Sequence, residues 1–343
     1  MKSYIAKIFA ALAVIMIAHV TIILTVPSII AAEYWMRETI VVKESISSTL
    51  PSPRIIFLAG SSAMFGIDAK KVELATGIPS INMGLEGSMQ LSSILKIGDV
   101  IARAGDVMVV PLERGYYGCG QNSWTPWLLR NSLAWDREHF DSLPLQRRVE
   151  IVLSQSDPGL AFEIAGDFVL SSAFPQLYQR RLAAIAPPKL IMERFRSGAE
   201  RPGSFAYSAF NLDERGTMLH TKGSFTVDPG TGVSALYPAA ICPDTLRILG
   251  QFVARMKARN VRVIFSHEPY MIETQPEKGW PQSEVLFARD IHSIGSELLE
   301  GRQMAFFPRS DFFNYLNHLN EAARDRHTAQ IIADLKRLGI YRK

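Results

Sequence analysis

"FLAGSSAMFGID", residues 57–68, holds the transition on which the fold turns. An apolar run that opens with "RIIFLAG" at Arg54 stops at Gly60, two serines follow, and the helical stretch "DAKKVELATG" closes on Gly77. A short apolar run with a glycine stop reads as a buried strand, and the polar pair after it as a strand-to-helix turn. Ser61-Ser62 then has two readings. Serine is a favoured helix N-cap. On such a turn it can also present its hydroxyl and its backbone N–H to a crevice at the strand end.

Outward from this turn the pattern repeats. "PSINMG" (79–84) is followed by a helix across "SMQLSSILKIGDVIAR", and then by "DVMVVPLE" (106–113). The alternation returns with a helix over 244–260, the strand "VRVIFSHEP" (261–269), a helix near 284–299, the strand "QMAFFP" (303–308) and a last helix over 320–338. Strand and helix in turn predict an α/β fold with a mostly parallel sheet of about five strands. Between about 115 and 240 the rhythm breaks into aromatics, helical periodicity and a Gly/Pro/Ser-rich stretch, read as an insertion into one domain spanning 54–343. No internal repeat stands out.

The chain has 343 residues, 48% of them hydrophobic and 20% charged, enough for one large domain or two small ones. Its excess of four positive charges is spread out, which gives no nucleic-acid footprint. Cys119 and Cys242 match no metal-ligand spacing, so no thiolate metal site is expected; they could pair only in an oxidising compartment. The first turn, "GSSAMFG", lacks the Gly-x-Gly-x-x-Gly spacing that cradles a pyrophosphate, which argues against a nucleotide cofactor.

Ile8 to Ala32 contains no charged residue and is long enough to cross a bilayer, so residues 1–33 read as a membrane anchor. A cleaved signal peptide with Ala32 at its end is the alternative. Residues 34–53 mix charges with Ser, Thr and Pro and read as a linker, with the folded body starting near Arg54.

Ligands of parallel α/β sheets sit beyond the carboxyl ends of the strands. Five such ends carry polar residues: Ser61-Ser62, Asn82 to Gly87, Glu113-Arg114, Ser266-His267-Glu268, and Arg309 to His318. Serine needs a base to become nucleophilic at neutral pH, and His318 in "SDFFNYLNHLN" can supply one if the sheet brings the first and last ends together.

The Gly-Ser-Ser after the first strand, the Asn-x-Gly-x-x-Gly after the second and the His-Leu-Asn before the last helix resemble the SGNH (GDSL-like) hydrolase superfamily. They look like its membrane-tethered branch, which includes alginate acetyltransferase-like and D-alanine transfer proteins. The resemblance covers about residues 54–114 and 244–338. It implies a three-layer α/β/α, flavodoxin-like fold with Ser62 as nucleophile, the N–H groups of Ser62 and Gly84 as oxyanion hole, and His318 as base. The family's orienting Asp falls where Tyr315 and Asn314 stand, so Asn314, Asp311 or Glu268 is the candidate to hold the imidazole. Asn82, Glu113, His267 and Glu268 are possible substrate contacts; Tyr116, Tyr117, Trp124 and Trp127 could form a sugar-stacking wall, against core packing or membrane-proximal contact as the commoner role of such residues. The implied activity is an O-acyltransferase or esterase acting on a cell-surface polysaccharide without cofactor or metal. It would sit on the inner membrane facing the periplasm, beside a membrane protein that delivers the acyl group. The alternative is a catalytically weakened module that binds glycan or scaffolds such a complex.

Overall fold

The computed structural model describes residues 2–26, 32–120, 123–176, 179, 185–223, 240–271, 280–299 and 305–341. In chain order the first elements are α1 (Lys2–Thr25), α2 (Tyr34–Thr49), β1 (Ile55–Ala59), α3 (Ser61–Gly66), α4 (Ala69–Thr76), β2 (Ser80–Gly84), α5 (Leu91–Ile101) and β3 (Val107–Val110). Five helices follow: α6 (Pro126–Trp135), α7 (Arg137–Asp141), α8 (Leu145–Gln155), α9 (Pro158–Ala173) and α10 (Pro188–Ser197). The chain closes with α11 (Pro243–Ala258), β4 (Arg262–Phe265), β5 (Tyr270–Met271), α12 (Trp280–Ser293), β6 (Glu297–Leu298), β7 (Phe306–Phe307) and α13 (Glu321–Arg337). It divides into two compact units, residues 1–37 with 123–190 and residues 38–122 with 191–343.

In the first unit, α1 is apolar and long enough to cross a membrane over Tyr4–Thr25. Its C-terminal end packs through Val20, Ile22 and Ile23 into a core of Trp124, Leu128, Leu129, Phe140, Ile151 and Ile164. The helices of this unit start where capping chemistry dictates. Thr125 and Asp157 accept the N–H of Leu128 and Leu160, and each is followed by a proline at the first helical position.

The second unit is α/β. Its five strands run parallel in the order β2-β1-β3-β4-β6, and Ile55 to Ala59 are fully buried, as the apolar run requires. Helices flank the sheet: α5 packs on β1 and on α11, while α13 packs on α3 and α4. Asp68 caps α4 and Gly77, at φ 73°, ends it; Asn320 caps α13 through the Ala323 N–H. Cys119 and Cys242 form a disulfide.

Two features differ from the sequence reading. The supposed linker contains α2, whose Thr39, Val42, Lys43, Ile46 and Ser47 are buried at helical spacing. Lys43 donates through Nζ to the Gly84 carbonyl at 2.6 Å. The fifth strand of the sheet is β6, inside the segment expected to be helical, whereas Phe306 and Phe307 pair with Tyr270 and Met271 in a separate two-stranded sheet. Expectations for residues 300–304 lie outside the described residues.

The sheet order reverses between β1 and β3, which makes the space beyond their carboxyl ends the topological switch point where parallel sheets bind ligands.

Candidate active site

Ser62 and Glu113 meet at this switch point, one following β1 and the other β3. The Glu113 carboxylate accepts the N–H of Ser62 at 2.8 Å and of Gly60 at 3.1 Å, so it caps the first turn of α3. A Cβ at Gly60 would stand 2.5 Å from Glu113 Oε1, so a larger residue there would displace the capping carboxylate. The Ser62 hydroxyl, buried with its residue, donates to the Pro111 carbonyl at 3.2 Å. Gly87 comes close by: a Cβ on it would lie 3.4 Å from the Ser61 hydroxyl oxygen and 3.9 Å from Glu113 Oε1.

His318 arrives from the loop before α13 and stacks flat on Phe65, ring centroids 3.9 Å apart at 4°. Phe65 lies one turn along α3 from Ser61 and Ser62, so the first and last strand ends converge on one helix. Asn314 Nδ2 donates to the Tyr207 hydroxyl at 3.0 Å, and its Oδ1 accepts from His318 Nδ1 at 2.8 Å. The tautomer this fixes leaves a lone pair on Nε2, a buried atom with no hydrogen-bond partner among the described residues. No hydrogen bond joins Ser62 to His318 among the described residues. Phe205, Tyr207, Phe313 and Tyr315 complete an aromatic surround. Burial pulls the His318 pKa down to about 3.

The remaining expected residues fall in several places. Gly84 gives its N–H to Asn82 Oδ1 at 2.8 Å, and a Cβ on it would collide with the Met64 backbone N at 2.2 Å; it serves packing, and its donor is engaged. Asn82 is equally committed, its amide donating to the carbonyls of Ala63 and Ile67. Asp311 forms an ion pair with Arg326, and His267 pairs with Glu284 at 3.1 Å. Glu268 accepts the Arg114 backbone N–H at 2.7 Å and the Asn317 side-chain N–H at 3.4 Å. Of the three candidates to orient His318, Asn314 is the one in place. Tyr116, Tyr117 and Trp124 are buried, the tyrosines beside the disulfide-bearing segment and the tryptophan in the core of the first unit.

Glu113 and Glu268 both have raised carboxyl pKa values because burial disfavours their charges, and the nearby Glu113 charge helps push Glu268 to about 8. With its pKa near 8, Glu268 is mostly protonated at neutral pH. Behind the second strand end, burial lowers the Lys43 pKa to about 7, with Asp213 opposing. Among the described residues no group of three or more His, Cys, Asp or Glu side chains is arranged to hold a metal ion.

Sequence reasoning missed the capping role of Glu113, the Phe65 platform, Lys43 and the aromatic contribution of Phe205 and Tyr207. The position of Phe65, three and four residues after the two serines on an expected helix, was the available signal for the platform. No protein-family model matches the chain, and none of the curated proteins is similar to it at the level that marks a relative.

Proposed function

We propose that the second unit is a serine-dependent O-acyltransferase or esterase of the flavodoxin-like SGNH type, acting on an extracytoplasmic glycan. The observation that carries this reading is the His318 imidazole: clamped at Nδ1 by Asn314, stacked on Phe65 a turn from Ser62, with an unpartnered lone pair at Nε2. In the reaction, Ser62 Oγ leaves the Pro111 carbonyl and attacks the acyl carbon of an ester while its proton passes to His318 Nε2. The tetrahedral oxyanion takes the Ser62 N–H in place of Glu113. The bond to the leaving alkoxide breaks as His318 returns the proton, and the acyl-serine passes its acyl group to a sugar hydroxyl or to water by the same steps in reverse. The apolar α1 and the Cys119–Cys242 disulfide both favour a membrane-tethered domain on the oxidising side, facing the periplasm. A membrane protein delivering the acyl group is the partner this placement suits.

A second reading, a glycan-binding or scaffolding module with weakened catalysis, is favoured by three features of the same site. Glu113 occupies the N–H donors an oxyanion needs, Asn314 cannot offset an imidazolium, and burial disfavours protonation of His318. Hydrolysis of a small acyl ester by the purified full chain, compared with Ser62→Ala, separates the two. Turnover lost in the variant supports the enzyme; equal rates, or none in either protein, support the module.

A further inference from the structure

Helix α9 has its polarity reversed. Its charged residues are Glu163 and Asp167; the first pairs with Arg130 at 2.6 Å and the second is buried. Its exposed positions include Phe162 (78% exposed), Gly166, Phe168 and Val169, none of them charged. A helix bathed in water shows the opposite arrangement, with charge outward, whereas ionisable residues facing the protein interior are the pattern of helices in hydrocarbon.

A second observation says what covers this face. α1 packs against α8 and α9, and a groove of about 690 Å³ between them is lined by Leu12, Ile15, Met16 and Ile22 on one side and by Leu153, Ala161 and Phe162 on the other. At 1.5 Å per residue, Leu12 to Ile22 is a stretch of about 15 Å within a span that a hydrocarbon layer of about 30 Å would cover. Residues alongside that stretch share its depth. The groove's polar contact, His19 Nε2 to Ser156 Oγ at 2.7 Å, is satisfied within the protein, as a lipid environment demands.

We infer that α9 and the end of α8 are immersed in the bilayer beside α1, and that lipid acyl chains cover the Phe162–Val169 face and fill the groove. The first unit is then a membrane-embedded helical group instead of a single-span anchor. This shares with the proposed function the premise that α1 crosses a membrane and is independent of the serine chemistry.

Spin labels on cysteines introduced one at a time into the full chain test it: Phe162→Cys, Val169→Cys, and the controls Phe9→Cys in α1 and Leu74→Cys on the sheet unit. All four positions are exposed, so the substitutions leave packing intact. In phosphatidylcholine vesicles, labels at 162 and 169 should collide more with oxygen than with a water-soluble nickel chelate, as at 9, and the ratio should reverse at 74. Behaviour at 162 and 169 like that at 74, with 9 reporting hydrocarbon, overturns the inference, as does shielding of 162 and 169 from both reagents, which would mean a protein cover. Water-like behaviour at 9 removes the shared premise instead.

Discussion

Both rims of the sheet bury charge, and they treat it oppositely. At the amino end of the strands, Arg54 makes a two-point contact with Asp106, 2.6 and 3.3 Å, and also donates to the carbonyls of Ser47 and Ile101, while Asp106 further accepts the N–H groups of Arg54 and Arg103. Every charge there meets its opposite. At the carboxyl end, burial raises both Glu113 and Glu268, the Glu113 charge raises Glu268 further, and Arg114 offsets this only in part, while most of the hydrogen bonds that reach the two acids come from backbone N–H groups. His318, in the loop before α13, is held neutral by burial. Burial of charge alone therefore does not mark function; incomplete compensation makes the carboxyl rim the candidate, because such a site stores free energy that a ligand or a reaction can release.

Breaking the paired rim should cost most. Asp106→Ala leaves Arg54 buried without its partner and should lower stability by about 4 kcal/mol, measured by urea unfolding; a loss as small as that of an exposed salt bridge would abolish the contrast. Removing the disulfide with Cys119→Ser and Cys242→Ser, which opens a loop of 123 residues, should cost about 3 kcal/mol, with a parallel drop in the thermal midpoint.

The carboxyl rim responds to pH. Glu268 has its folded pKa raised to about 8 from 4.5, so its contribution is fully present below 4.5 and is lost as pH rises through 8. His318 and His327, lowered to about 3 and 4 from 6.5, work the other way: their contribution is present above 6.5 and is lost as pH falls toward those values. Glu268→Gln should gain about 2 kcal/mol over the parent at pH 8.5, against no gain at pH 4; unfolding curves of equal offset at both pH values would show that Glu268 does not hold the proton. Smallest in stability, Ser62→Ala removes one hydroxyl donated to a carbonyl and should change stability by about 1 kcal/mol or less, so that any loss of activity in it is chemical.

What the sequence made legible follows the physics of each element. The apolar runs of β1 to β4, the helices α5 and α11 and the capped helices α4 and α13 are local signals; the order of polar strand ends brought out the serine pair and His318, and the family resemblance singled out Ser62 and Asn314. α2 escaped because its buried face includes Lys43, whose partner Gly84 lies 41 residues on, and Ser47, which accepts from Arg54 beyond the end of the helix. β6 has two residues, too short for periodicity, and borrows its conformation from β4. The capping of α3 by Glu113 joins residues some fifty positions apart, and the commitment of Asp311 to Arg326 decides between candidates that are equivalent in sequence. The α9 pattern was present in the residues; its inversion became readable once burial showed which way Glu163 and Asp167 face.

The central claim is that Ser62 can be made nucleophilic by His318. Its most direct test is a fluorophosphonate probe on the folded full chain, with the adduct mapped by peptide mass spectrometry in the parent, in His318→Gln and in Glu113→Ala. The account expects the adduct on Ser62, its loss in His318→Gln, and labelling about tenfold faster in Glu113→Ala, where the Ser62 N–H is released to the oxyanion. An adduct on Ser61, labelling that persists without His318, or no adduct in any of the three proteins would contradict it.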